Sequence, residues 1–228
     1  RFSINVLGLP AEVQSEFQNQ GIETLADFLQ SPNLPQLISR AESRNLLLVV
    51  IGVVRNPVEN IGVRLAAINA LKSFPPARQA SKVAPLLAIE AENFKPFALH
   101  LAAIKALGEV TPGSSESDLD SAKQAVAVLI PHVINGGLFH SNAIAALVQI
   151  TSFPLGAKAI REGIDHDTVR TQLIAALIRA LQEEEFAEGA GKILENLITT
   201  ATEPALIKVL EAFKSSGSSI IRQRAASI

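Results

Sequence analysis

No cysteine, methionine, tryptophan or tyrosine occurs in the 228 residues. Without cysteine there can be no disulfide, thiolate metal site or cysteine nucleophile. With ten Phe as the only aromatics, the chain is poor in the stacking groups that a base-handling site uses. An excess of either charge is also missing. Lys and Arg number 20 against 22 Asp and Glu, whereas sequence-independent nucleic-acid binders carry a basic surplus. Nucleic acid is therefore not an expected partner. The most apolar run, LLLVVIGVV at Leu46 to Val54, has nine residues where a membrane-spanning helix needs about 20, so no span is expected. That run reads as part of a helix starting near Leu34 and buried on most sides. Position 1 is Arg, and the sequence stops within an apparent repeat, Arg222 to Ile228. Both features fit a fragment of a larger protein. The lack of cysteine does not choose a compartment, and a cytoplasmic location is the working expectation.

What is present is Ala, Leu, Ile and Val, residues whose small and aliphatic side chains let helices pack closely. They recur in a short motif. LAAINAL at Leu65 to Leu71 returns as LAAIKAL at Leu101 to Leu107, then as IAALVQI at Ile144 to Ile150 and IAALIRA at Ile174 to Ala180. The starting points lie 36, 43 and 30 residues apart. Two copies share a tail in the same register, Ser73-Phe74-Pro75 and Ser152-Phe153-Pro154. Large apolar residues at the first, fourth and seventh positions make one stripe on a helix. A second apolar segment follows, as at Val83, Leu86 and Leu87, and again at Val126, Leu129, Ile130 and Val133. Each period then holds two helices, and one pair cannot bury its own stripe unless pairs stack.

The segment from Val63 to Leu71 resembles the second helix of a HEAT repeat. Asn142 to Ile150, running on to Gly156–Gly163, is similar to an armadillo repeat. The resemblance covers roughly residues 58 to 228 and implies an all-α fold, an α-α superhelix (right-handed solenoid) of degenerate HEAT/armadillo-like repeats. The expected organisation is an N-terminal helical cap over residues 1–33 and a repeat array over 34–228. In the cap, Gly21-Ile-Glu-Thr-Leu25 is similar to a helix-hairpin-helix unit. Glu16, Glu23 and Asp27 stand where such a unit wants basic neighbours, which favours a structural role. The polar stretch Thr111 to Ser121, TPGSSESDLDS, reads as a surface loop within the array, with Ser117 or Asp118 capping the next helix.

A search for chemistry finds little. The histidines His100, His132, His140 and His166 form no metal-ligand spacing, and Asp165-His166-Asp167 reads as a helix start. There is no Gly-x-Ser-x-Gly elbow, and Gly189-Ala190-Gly191-Lys192 lacks the spacing and preceding strand of a phosphate loop, so it reads as a turn opening a helix. Glu183-Glu184-Glu185 reads as the end of the fourth motif's helix, where three acids oppose the helix dipole and hint at a basic partner. No catalytic residue, metal or cofactor is expected, and the chain is not read as an enzyme. The resemblance implies a scaffold or assembly domain that binds a protein or peptide. It also implies an alternative, a HEAT-like enzyme or enzyme subunit of lyase or nucleic-acid-modifying type. The candidate binding residues are Asn69, Lys105, Gln149 and Arg179, the polar members of the four motifs. The importin-type armadillo groove depends on regular Trp and Asn ladders that this chain lacks, so nuclear-signal binding is not expected.

Overall fold

The structure is a computed structural model that describes residues 25–33, 35–36, 44–74, 83, 86–88, 96–109, 116–164, 167–198, 203–216, 218–219 and 221–222. Among these residues there are ten helices and no strand: α1 (Leu25–Gln30), α2 (Arg44–Arg55), α3 (Ile61–Leu71), α4 (Phe97–Glu109), α5 (Glu116–Asn135), α6 (His140–Thr151), α7 (Pro154–Glu162), α8 (Asp167–Ala180), α9 (Glu184–Ile198) and α10 (Glu203–Lys214).

The helices stack in two rows. One row runs α3, α4, α6, α9, each packed on the next. The other runs α5, α8, α10. α2 pairs with α3, α1 packs on α3, and α7 bridges α5, α6 and α9. The core is continuous through both rows and is almost wholly Ala, Leu, Ile and Val.

The first row shows a burial pattern that repeats. Ala67-Ile68, Ala103-Ile104, Ala143-Ile144 and Ala190-Gly191 are buried, the next residue is exposed, and the following pair is buried again. A small residue beside a larger one lets neighbouring backbones approach while the stripe stays filled. The approach is close enough to exclude a methyl group. A Cβ on Gly108 of α4 would lie 2.6 Å from Ala146 Cα in α6, and one on Gly189 of α9 would lie 2.9 Å from Ile144 Cγ2.

This register revises the motif alignment. By burial the equivalent segments begin at Ala67, Ala103, Ala143 and Ala190, with spacings of 36, 40 and 47 residues. The fourth motif, Ile174 to Ala180, belongs to α8 in the other row. It has the same buried pattern because a helix of either row is pressed between neighbours on two sides.

Helix ends follow local chemistry. Asn60 caps α3 by accepting a hydrogen bond from Gly62 N at 2.7 Å. α6 stops at a corner where Phe153 is extended (φ −98°, ψ 144°) and Pro154 opens α7. The two helices are bent by 117° there. Gly136 and Gly137, with φ of 67° and 87°, make the turn between α5 and α6, a backbone region that glycine enters without a Cβ clash. Side chains from elsewhere close carbonyls at helix ends. Arg64 Nε donates to Val54 O (2.8 Å), Arg170 Nη2 to Arg161 O (2.8 Å) and Ser216 Oγ to Leu181 O (3.0 Å).

Four other expectations need correction. The apolar run lies in α2, where Leu48 and Gly52 face solvent, so the run is buried on one face; the expected start near Leu34 lies outside the described residues. The polar stretch 111–121 is helical from Glu116, so Ser117 and Asp118 lie inside α5, with Asp118 and Ser121 buried. Gly189 and Gly191 lie within α9, where they serve packing. Glu184 and Glu185 form the first turn of α9, where acids are favourable with the helix dipole, so their hint of a basic partner disappears. Asp167 opens α8 as expected; Asp165, His166 and residues 1–24 lie outside the described residues. Among the described residues no single helix is long and apolar enough to cross a membrane.

Two glycines separate packing from propensity. A Cβ on Gly156 would collide with the Ile150 carbonyl oxygen, whereas one on Gly52 meets nothing within 4 Å. Gly156→Ala is expected to lower the urea-unfolding free energy by about 1–3 kcal/mol, and Gly52→Ala to raise it by about 0.5–1 kcal/mol. Ser216→Ala leaves the buried Leu181 carbonyl open and is expected to cost about 1–3 kcal/mol in the same assay.

Candidate functional site

All four sequence-chosen residues, Asn69, Lys105, Gln149 and Arg179, are exposed. They do not form one ridge. Asn69, Lys105 and Gln149 belong to α3, α4 and α6 of the first row, but Arg179 belongs to α8 of the second. The burial register puts Asn69, Lys105, Ala145 of α6 and Lys192 of α9 in equivalent exposed positions, with Gln149 one turn beyond Ala145; Ala145 and Lys192 were missed by sequence reasoning. The signal for Lys192 was present in the segment dismissed as a mock phosphate loop, since Ala190-Gly191-Lys192-Ile193-Leu194 places small, exposed and large residues as the other copies do.

A groove of about 560 Å³ runs between α6 and α9. Its floor and sides include Ala145, Val148 and Gly189, and its polar groups include Asn142, Gln149 and Lys192. Gly189 lets α9 sit close against α6 at the base of this groove, because an added Cβ would lie 2.9 Å from Ile144 Cγ2. Lys192 Nζ pairs with Glu188 Oε1 at 2.8 Å across one helical turn, so its charge is locally balanced. Gln149 sits at the groove's other side and packs toward Gly108, linking it to α4. Asn69 and Lys105 line neither this groove nor the cleft beside it.

That neighbouring cleft, of about 480 Å³, shares Ser141 and Phe186 with the groove. It forms where the end of α5, the start of α6, the end of α8 and the start of α9 meet. Arg179, Glu183, His140 and Asn135 line it. His140 lies edge-on against Phe186, with ring centroids 5.3 Å apart, and its Nδ1 is buried without a hydrogen-bond partner among the described residues.

The start of α6 is held by an aromatic cluster that the sequence did not reveal. Phe139 stacks on Phe97 at 4.9 Å and touches the rings of His100 (4.1 Å) and His132 (5.6 Å). His100 is fully buried and meets the His132 ring edge-on at 5.0 Å. These histidines are 32 residues apart in sequence, so no spacing rule brings them together. Among the described residues no group of three or more His, Asp or Glu is placed to hold a metal ion. A third cleft, about 400 Å³ between α5 and α8, is more apolar, lined by Ile130, Pro131, Ile134, Ile164 and Val169.

No protein-family profile matches the chain, and no curated protein matches it in sequence. Among solved structures, it is similar to an archaeal HEAT-like repeats protein from Thermococcus onnurineus NA1. The TM-score is 0.54 at 16% identity, over 89% of this chain and 93% of that one. Identity at this level speaks for the fold alone. The stacked helix pairs, the recurring small-residue stripe and this likeness together make the chain a HEAT-like helical-repeat solenoid.

Proposed function

We propose that the chain is a non-enzymatic binding scaffold that takes a protein or peptide segment in the groove between α6 and α9. The observation that carries this reading is the groove's chemistry. It has a small-residue floor at Ala145 and Gly189, flanked by the neutral hydrogen-bonding groups of Asn142, Gln149 and Ser141. Amides and a hydroxyl can pair with a peptide backbone, which offers both donors and acceptors. General acid–base or nucleophilic work would instead ask for titratable groups within hydrogen-bond reach of one another. Here Glu188 and Lys192 pair with each other along one helix face, and Glu185 is the other charged group lining the groove. A stacked-repeat fold supports the same reading, because stacking leaves long surfaces whose residues are free of core duty.

The test uses the full 228-residue chain as bait in extracts of its source cell, with captured proteins identified by mass spectrometry. Ala145→Glu puts a charged side chain on the exposed groove floor without entering the core. It is expected to reduce capture of the principal partner by about tenfold or more. Leu48→Glu, on the solvent face of α2, is expected to leave capture unchanged. Equal capture by the Ala145→Glu protein, or turnover of a small molecule by a chain that captures nothing, would overturn the reading.

A further inference from the structure

We infer that the cleft beside the groove, lined by Arg179, Glu183, His140 and Phe186, receives the C-terminal residue of a bound peptide and recognises its free carboxylate. The inference rests on the peptide-binding reading of the adjoining groove and names the chemistry of one end of that peptide.

Arg179 and Glu183 line the same cleft, yet their charged groups do not come within 4.0 Å of each other or of any other opposite charge among the described residues. Each charge is favourable at the helix end where it stands. Arg179 lies in the last turn of α8, where a cation is favourable, and Glu183 directly precedes α9, whose N-terminus favours an anion. The cleft therefore presents one separated cation and one separated anion. Its ligand should carry an anionic group and a hydrogen-bond donor close together. A C-terminal peptide residue has both on one carbon, its carboxylate and its own backbone N–H. The Arg179 guanidinium can take the carboxylate through two parallel N–H donors, and the Glu183 carboxylate can accept from the N–H.

The surroundings fit the rest of that residue. Phe186 and Ala176 supply an apolar wall for its side chain, and Asn135 and Ser141 add neutral donors. A cleft of about 480 Å³ is too small for a folded domain and is of the size that holds one end of a chain. Ser141 and Phe186 belong to both the cleft and the groove. A peptide with its last residue in the cleft can then run directly into the groove, where Gln149 and Asn142 meet its backbone. Sequence reasoning singled out Arg179 as a member of a ridge. Its place at the end of α8 gives it a different role, as the terminal anchor.

The test is a bead-displayed library of randomised octapeptides made in two forms, with free C-terminal carboxylates and with C-terminal amides, screened with the fluorescently labelled full chain. Sequences selected as acids are then measured by fluorescence anisotropy. Amidation is expected to weaken them about tenfold or more, and Arg179→Ala to weaken the acids by a similar factor while leaving the amides unchanged. Glu183→Gln should produce a smaller loss. Both side chains are exposed, and thermal unfolding of the variants should match the parent. Equal binding of acid and amide, undiminished binding by Arg179→Ala, or no selected peptide would overturn the inference. If acid and amide bind alike but Ala145→Glu abolishes both, the groove reading survives and only the terminal anchor falls. If neither form binds and no partner is captured, both fall.

Discussion

Everything in this molecule depends on how closely the helices of the first row approach. Ala146 against Gly108 and Ile144 against Gly189 leave no room for an added methyl. Close approach does two things at once. It fills the space between helices with backbone and small side chains, so that a chain without Trp, Tyr or Met still packs a continuous core. It also leaves a shallow channel on the outside, because a small residue that lets two helices meet cannot project far from either. The groove between α6 and α9 is the solvent side of the same contact that holds those helices together.

The second constraint is the corner at Phe153 and Pro154. Proline cannot continue the helix that precedes it, and Gly156 lets the α7 backbone sit directly against the Ile150 carbonyl. The chain then makes a short bridging helix that belongs to neither row before it enters α8. That extra helix sets where the later ones fall. α8 joins α5 in the second row, α9 joins α6 in the first, and their ends meet beside the start of α6. The cleft that collects Arg179, Glu183 and His140 is a consequence of this arrangement.

The aromatic cluster performs a related task. Phe139, with no side-chain cap on α6, instead stacks on Phe97 and against His100 and His132. The start of α6 is fixed by ring contacts to α4 and α5, in the place that a serine or aspartate cap takes in other helices. This positions His140 and Ser141, the next two residues, at the mouth shared by cleft and groove.

Much of this was legible in the residues. The Ala-Leu-Ile stripe specified helices that must stack, and Asn69, Lys105, Gln149 and Arg179 were rightly read as lying outside the buried stripe, because a period of 3.6 residues sorts one face from the other without reference to any neighbour. The same stripe could not say which helix it would meet. α8 and α6 carry near-identical motifs and lie in different rows, since an apolar face is satisfied by any complementary surface. The glutamates at 183–185 show the point at short range: one turn's shift in helix boundary moved them from an unfavourable end to a favourable one. Sequence alone thus determined the helical class, the recurring apolar stripe and the exposed polar positions. Tertiary structure decided the row to which each helix belongs, the meeting of His100 with His132, and the separation of Arg179 from Glu183. These depend on turn geometry and on contacts between residues far apart in the chain, and a local hydrophobic pattern is blind to both.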